Sequence, residues 1–113
     1  MPRRNVNYEA APGAVVDIAA RLGQNIATAR IRRQLREEDL AAKAGITRTT
    51  LRRVEAGALG TGIGAYVAVL WALGLHHDIG EIASPHRDIE GQTLEAARRG
   101  TRVRRAEGLS DEF

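Results

Sequence analysis

An all-α bundle of four to five short helices is the fold this sequence predicts, and three observations predict it. Ile18, Leu22, Ile26 and Ala29 recur at steps of four and three residues, which lines one face of a 3.6-residue helix. Residues 63–74, IGAYVAVLWALG, are strongly apolar, long enough for a core helix, and end on a glycine suited to stop it. Between these segments, residues 37–56, EEDLAAKAGITRTTLRRVEA, carry the punctuation of two short helices joined by a tight turn. No segment has a convincing strand pattern, although the polar stretch 76–92 leaves room for a small β element.

The elements follow in order. Residues 1–13 are polar and contain Pro2, Pro12 and Gly13, which predicts a flexible arm. The first helix runs from Val15 to Gln34, and Gly23 allows a break or second start within it. The next helix spans 37–44, with Leu40, Ala41 and Ala44 on its inner face. Gly45 stands where the chain must turn and where a positive φ is often needed. Thr47 is an N-cap, and Ile46 and Leu51 flank it at the spacing of a hydrophobic staple. Over 48–56, Leu51 and Val54 form the buried stripe, leaving Arg48, Thr49, Thr50, Arg52 and Arg53 to point elsewhere. The glycine-rich GALGTGIG then leads into the apolar helix. His76 to Pro85 adds one turn at most, since Pro85 interrupts any longer helix. Thr93 to Arg105 favours helix, with Gly100 as its weak point. The organisation is thus an arm over 1–13, a helical domain over 14–80 and a C-terminal extension over 81–113.

A chain of 113 residues fits one domain, with a modest core. Aromatics make up 4% and Trp71 is the single tryptophan, so that core is built from Ala, Leu, Ile and Val. Oligomerisation would add burial. The absence of cysteine excludes disulfides and thiolate–metal sites. No stretch is apolar enough to span a membrane, and MPRRNVNYEAAPG lacks the apolar region of a secretory signal, so a cytoplasmic location is expected. Charge is unevenly spread. Residues 28–57 carry eight Lys/Arg and four Asp/Glu, 76–96 carry one Arg and five acids, and 97–106 carry five Arg and no acid. Sixteen of the seventeen basic residues are arginine, the side chain suited to bidentate contact with phosphate and guanine.

Residues 22–75, with LGQNIATARIRRQLREEDLAAKAGITRTTLRRVEAG followed by VAVLWALGL, resemble the phage repressor/Cro-like, or XRE, helix-turn-helix family. Ala41 is small enough for two helices to approach, Gly45 follows four residues later at the turn, and Glu55-Ala56-Gly57 matches the family's closing Glu-x-Gly. The resemblance implies a lambda-repressor-like bundle in which Arg30 pairs with Glu55, an architectural link. It departs at the start of the second helix, where Arg36 and Glu37 replace the family's Ser or Thr followed by Gln, and at the missing proline after Gly57. A glutamate there suits the helix dipole but repels phosphate. Arg36 is then a candidate replacement contact to the DNA backbone.

The resemblance implies a sequence-specific repressor that reads double-stranded DNA at a palindromic operator as a homodimer. Arg48, Thr49 and Arg53 are the candidates for base contact, and Thr50 and Arg52 for phosphate. Arg32, Arg33 and Lys43 are weaker phosphate candidates, and Arg3 and Arg4 could form a minor-groove arm. Ile63, Tyr66, Val67, Leu70, Trp71 and Leu75 divide between core and dimer interface, with Trp71 open to either. The tail over 76–113 is similar in organisation to antitoxins of HipA/HipB-type pairs, which implies a HipA-like Ser/Thr-kinase toxin as partner. Arg102, Arg104, Arg105, Leu109 and Phe113 are the candidate docking residues, and a solvated tail is the alternative. A stand-alone regulator without a toxin partner is the other functional reading. No enzyme activity or cofactor is expected. His76, His77, His86 and Asp78 lack metal-ligand spacing and read as exposed helix-end residues.

Overall fold

The computed structural model describes the backbone of residues 8–111 and the side chains of residues 8–105. Within those limits the protein is all-α, with a 3₁₀ turn at Tyr8–Ala10 and six α-helices. These are α1 (Gly13–Arg32), α2 (Glu37–Ala44), α3 (Arg48–Glu55), α4 (Ile63–Leu73), α5 (His77–Glu81) and α6 (Ile89–Asp111). No strand forms among the described residues, and 76–92 holds α5 and turns instead of a β element. The chain divides into two compact units, one ending at Ile79 and the other beginning at Gly80.

The first unit is built on one apolar cluster. Ile26 and Ala29 of α1, Leu40 and Ala41 of α2, Leu51 and Val54 of α3, and Val69, Leu70, Ala72 and Leu73 of α4 are its buried members. Leu22, Leu35, Ala44, Ile46, Tyr66 and Ile79 pack around them. Only the second half of α1 reaches this cluster. Ile18, on the same predicted stripe, is 65% exposed, because the core ends at the level of Leu22. All ten buried members of the cluster are aliphatic or alanine, and removing such side chains from water contributes about 25 cal/mol per Å² of apolar surface.

Turns are set by residues with specific backbone needs. Gly45 closes α2 at φ +73°, and Gly74 closes α4 at φ +77°, both in the left-handed region. The Thr47 hydroxyl caps α3 by accepting the Thr50 N–H at 3.1 Å. Gly23 makes neither the break nor the second start that the sequence allowed. The helix α1 is continuous through it, and the missing side chain serves a close approach. A Cβ on Gly23 would lie 2.5 Å from the Glu55 carbonyl oxygen and 2.7 Å from the Gly57 nitrogen. Gly57, at φ +71°, in turn lies against the backbone of Ala19 and Ala20. The first helix and the end of α3 therefore meet main chain to main chain.

The second unit contains α6, which is continuous through Gly100 and extends beyond the predicted 93–105 at both ends. None of its described side chains is buried. Asp88 starts it by accepting the Gly91 N–H at 3.0 Å, and Arg99 pairs with Glu95 one turn away. His76 departs from the exposed placement expected of it. It is half-buried with its ring 4.1 Å from that of His77. No group of three or more metal-binding side chains occurs among the described residues.

Candidate nucleic-acid interface

The candidate surface is the solvent face of α3, and its position follows from what α3 buries. Leu51 and Val54 are fully enclosed, which fixes the rotation of an eight-residue helix. That rotation leaves Arg48, Thr49, Arg52 and Arg53 exposed and Thr50 half-exposed. The α2–α3 turn sets where this face begins, with the Gly45 N–H bonded to the Ala42 carbonyl and the Ile46 N–H to the Ala41 carbonyl. These last α2 carbonyls are satisfied by a left-handed glycine, so α3 starts abruptly.

Arg30 and Glu55 lock this face to the rest of the unit. Arg30 Nε donates to Glu55 Oε2 at 2.8 Å, and Nη2 donates to Oε1 at 3.1 Å. The remaining Nη1 donates to the Leu35 carbonyl at 3.0 Å, holding the α1–α2 connection. Each side chain is only 13% exposed. The bidentate hydrogen bond to Glu55 raises the Arg30 pKa above its ordinary value, against a smaller opposing effect of burial. Ala41, buried at 3% exposure, is the small residue at the centre of the core beside Leu40.

The charged residues around α3 are not independent. Glu37, at the start of α2, accepts from Arg48 Nε at 3.1 Å and from Arg52 Nε at 2.8 Å, both on its Oε2 atom. Its pKa is held below the ordinary glutamate value, by the Arg52 hydrogen bond first and then that of Arg48. Sequence reasoning took Glu37 as a charge that suits the helix dipole and repels phosphate, and assigned Arg48 and Arg52 to different groups. The structure brings all three side chains together. The available signal was spacing: Arg48 and Arg52 are one helical turn apart and so share a face.

Arg36 stands apart from that cluster. Its Nε contacts Asp39 at 3.3 Å and its Nη1 lies 3.5 Å from Glu38, both acids in the first turn of its own helix. Asp39 also accepts the Arg36 backbone N–H at 3.2 Å, so this side chain helps cap α2. Lys43 is exposed in the last turn of α2. Thr49 is exposed, whereas the Thr50 hydroxyl oxygen accepts from Thr47 at 2.9 Å. Arg53 and Thr50 line an open groove with Gly60, Thr61, Gly62 and Ala65 at the entry to α4. Tyr66 stabilises the loop behind this groove by donating its hydroxyl to the Ala58 carbonyl at 2.8 Å. Burial raises the Tyr66 pKa.

Arg32 is exposed at the end of α1, and Arg33 caps that end by donating to the Ala29 carbonyl at 2.9 Å. On α6, Arg102, Arg104 and Arg105 are exposed. The Arg3, Arg4 and Phe113 candidates lie outside the described residues, as does the Leu109 side chain. No helix among the described residues is long and apolar enough to cross a membrane.

Residues 26–75 match the model of the helix-turn-helix family HTH_3, whose members are DNA-binding regulators. The match takes in the second half of α1, the whole of α2, α3 and α4, and ends before α5. It covers somewhat under half of the chain. No curated protein matches the chain.

Proposed function

We propose that the helix-turn-helix of residues 26–75 makes this protein a sequence-specific transcriptional repressor, acting in the cytoplasm as a homodimer on a palindromic operator. One observation carries the reading. The buried pair Leu51 and Val54 turns every other side chain of α3 except Glu55 toward solvent, and those side chains are arginine and threonine. A helix so armed fits the major groove, where arginine donates to guanine and threonine hydrogen-bonds or touches the thymine methyl. Arg48, Thr49 and Arg53 are the proposed base readers. Thr50, Arg52 and Lys43 are proposed phosphate contacts. Arg36 is a weaker one, since it already faces two acids.

Dimerisation is supported by the outer face of α4. Ile63 is 74% exposed and Trp71 57% exposed, with half-buried Val67 between them at four-residue spacing. A single helix-turn-helix contacts a few base pairs, so a second copy doubles the site that is read. Selection from a random duplex library, followed by competition binding, tests both claims. The expected result is a palindromic sequence bound by two chains at least about 10³-fold more tightly than random DNA. Arg53→Ala should relax preference at one base position, while Arg32→Ala should weaken all sequences alike. Equal affinity for all sequences would sink the reading.

The finer proposal is that this repressor is the antitoxin of a HipA-like kinase toxin. Its support is α6, a helix of twenty-three residues whose described side chains bury nothing in this chain and which carries a run of arginines. Helices are marginal without packing, so such a surface fits a partner. Arg102, Arg104, Arg105, Leu109 and Phe113 are the proposed contacts. A stand-alone regulator is the alternative, and co-purification with the product of the adjacent gene separates the two.

A further inference from the structure

The Glu37 cluster calls for an explanation that stability does not supply. Its side chain is 29% exposed, and those of the arginines bound to it are 53% and 60% exposed. Ion pairs this open to water contribute little to folding. The same cluster also reduces the positive charge that α3 offers to DNA. A carboxylate in the middle of a surface built to meet phosphate therefore costs non-specific affinity.

The geometry shows what is gained in return. Both arginines engage Glu37 through Nε, the inner edge of the guanidinium, and both engage the same oxygen, Oε2. The outer Nη1 and Nη2 groups of each make no described hydrogen bond. Arginine side chains lose much rotamer freedom when they bind, and a partner that fixes the stem in advance removes part of that cost. Arg48 and Arg52 also lie one turn apart on α3, so fixing both sets the distance between two outward-facing forks. The anchor itself belongs to α2. The clamp therefore ties the orientation of both readers to the α2–α3 turn, which the left-handed Gly45 sets.

We propose that Glu37 is a specificity-determining positioning residue, whose carboxylate holds Arg48 and Arg52 by their Nε atoms and presents their Nη edges as one pre-set pair to acceptor groups in the major groove. This rests on the reading of α3 as the DNA-contacting helix. It assigns Arg52 to the same recognition unit as Arg48, instead of to the phosphate backbone alone. Affinity for random DNA is given up, and discrimination is gained.

Two substitutions separate geometry from charge. Glu37→Gln removes the charge and weakens the clamp. Glu37→Asp keeps the charge but shortens the reach by one methylene, so that one carboxylate no longer meets both Nε atoms. Affinity for the selected operator and for random duplex is measured for each across a salt series, with circular dichroism as a control on the fold. For Glu37→Gln, random-DNA affinity should rise, with a salt slope steeper by about 0.9 for one phosphate more. The ratio of operator to random affinity should fall about tenfold. For Glu37→Asp, random-DNA affinity and its slope should stay unchanged while the ratio falls similarly. Undiminished ratios in both variants, with wild type discriminating well, would overturn the Glu37 role alone. A wild-type ratio near one would overturn the DNA-reading assignment on which it stands.

Discussion

At Arg30 one side chain makes three hydrogen bonds, two to Glu55 on α3 and one to the Leu35 carbonyl between α1 and α2. Replacing it with alanine leaves a carboxylate with most of its surface buried and no partner. Removing one member of a fully buried pair costs about 3–5 kcal/mol, and the residual exposure here lowers the expectation to about 2 kcal/mol. Urea denaturation of Arg30→Ala should show that loss through a lower midpoint with an unchanged slope. Arg30→Lys should recover only part of it, because an ammonium cannot meet two carboxylate oxygens and a carbonyl in one plane. The pairing was legible in the sequence through family resemblance, as Arg30 and Glu55 are twenty-five positions apart and no local period links them. Glu37 shows the opposite case. Its charge was visible, but its partners depended on how α2 crosses α3, which no single-helix pattern encodes.

At the scale of elements, local chemistry was the readable part. Thr47, Gly45 and Gly74 fix caps and turns through their own backbone and hydroxyl properties, and the structure places each where those properties predict. Gly23 left a break open in the sequence because a glycine inside a helical pattern looks the same whether it breaks the helix or admits a neighbour. Its environment now makes a sharp expectation. Gly23→Ala improves the intrinsic helix propensity of α1 by about 1 kcal/mol. It also drives a methyl into the Glu55 carbonyl and the Gly57 nitrogen, which are backbone atoms that cannot rotate away. Overpacking of this kind costs about 1–3 kcal/mol, and the rigidity of the obstacle favours the upper end. A thermal melt of Gly23→Ala should therefore show net destabilisation; an unchanged or raised midpoint would mean that α1 and α3 can separate freely.

At the scale of the whole molecule, the division at Ile79 and Gly80 sets two kinds of residue apart. The apolar cluster lies in the first unit, whereas the arginine run 98–105 lies in the second. The sequence marked both through composition, since an apolar helix at 63–74 and an acid-free basic run at 97–106 are countable without coordinates. The role of the second unit was not countable, because the described side chains of α6 bury nothing and so leave no packing pattern from which a role could be read. Under the antitoxin proposal, deleting residues 93–113 should leave operator affinity within about threefold of wild type and abolish capture of the proposed kinase partner in a pull-down. Retained capture would move the toxin contact off α6, while loss of operator binding would show that the extension serves DNA recognition too.

The main-chain contact between Gly23 and Gly57 makes the aim of α3 a matter of backbone, with no adjustable side chain at the point of closest approach. Trimming the core, as in Val69→Ala or Leu73→Ala, then leaves this fulcrum in place. Such variants would melt earlier yet bind the same operator with the same base preferences. On the proposed reading of α3, core changes accumulate without rewriting the DNA target, and any drift toward a new operator is channelled to the few side chains on the outer face of α3 and to the glutamate that braces them.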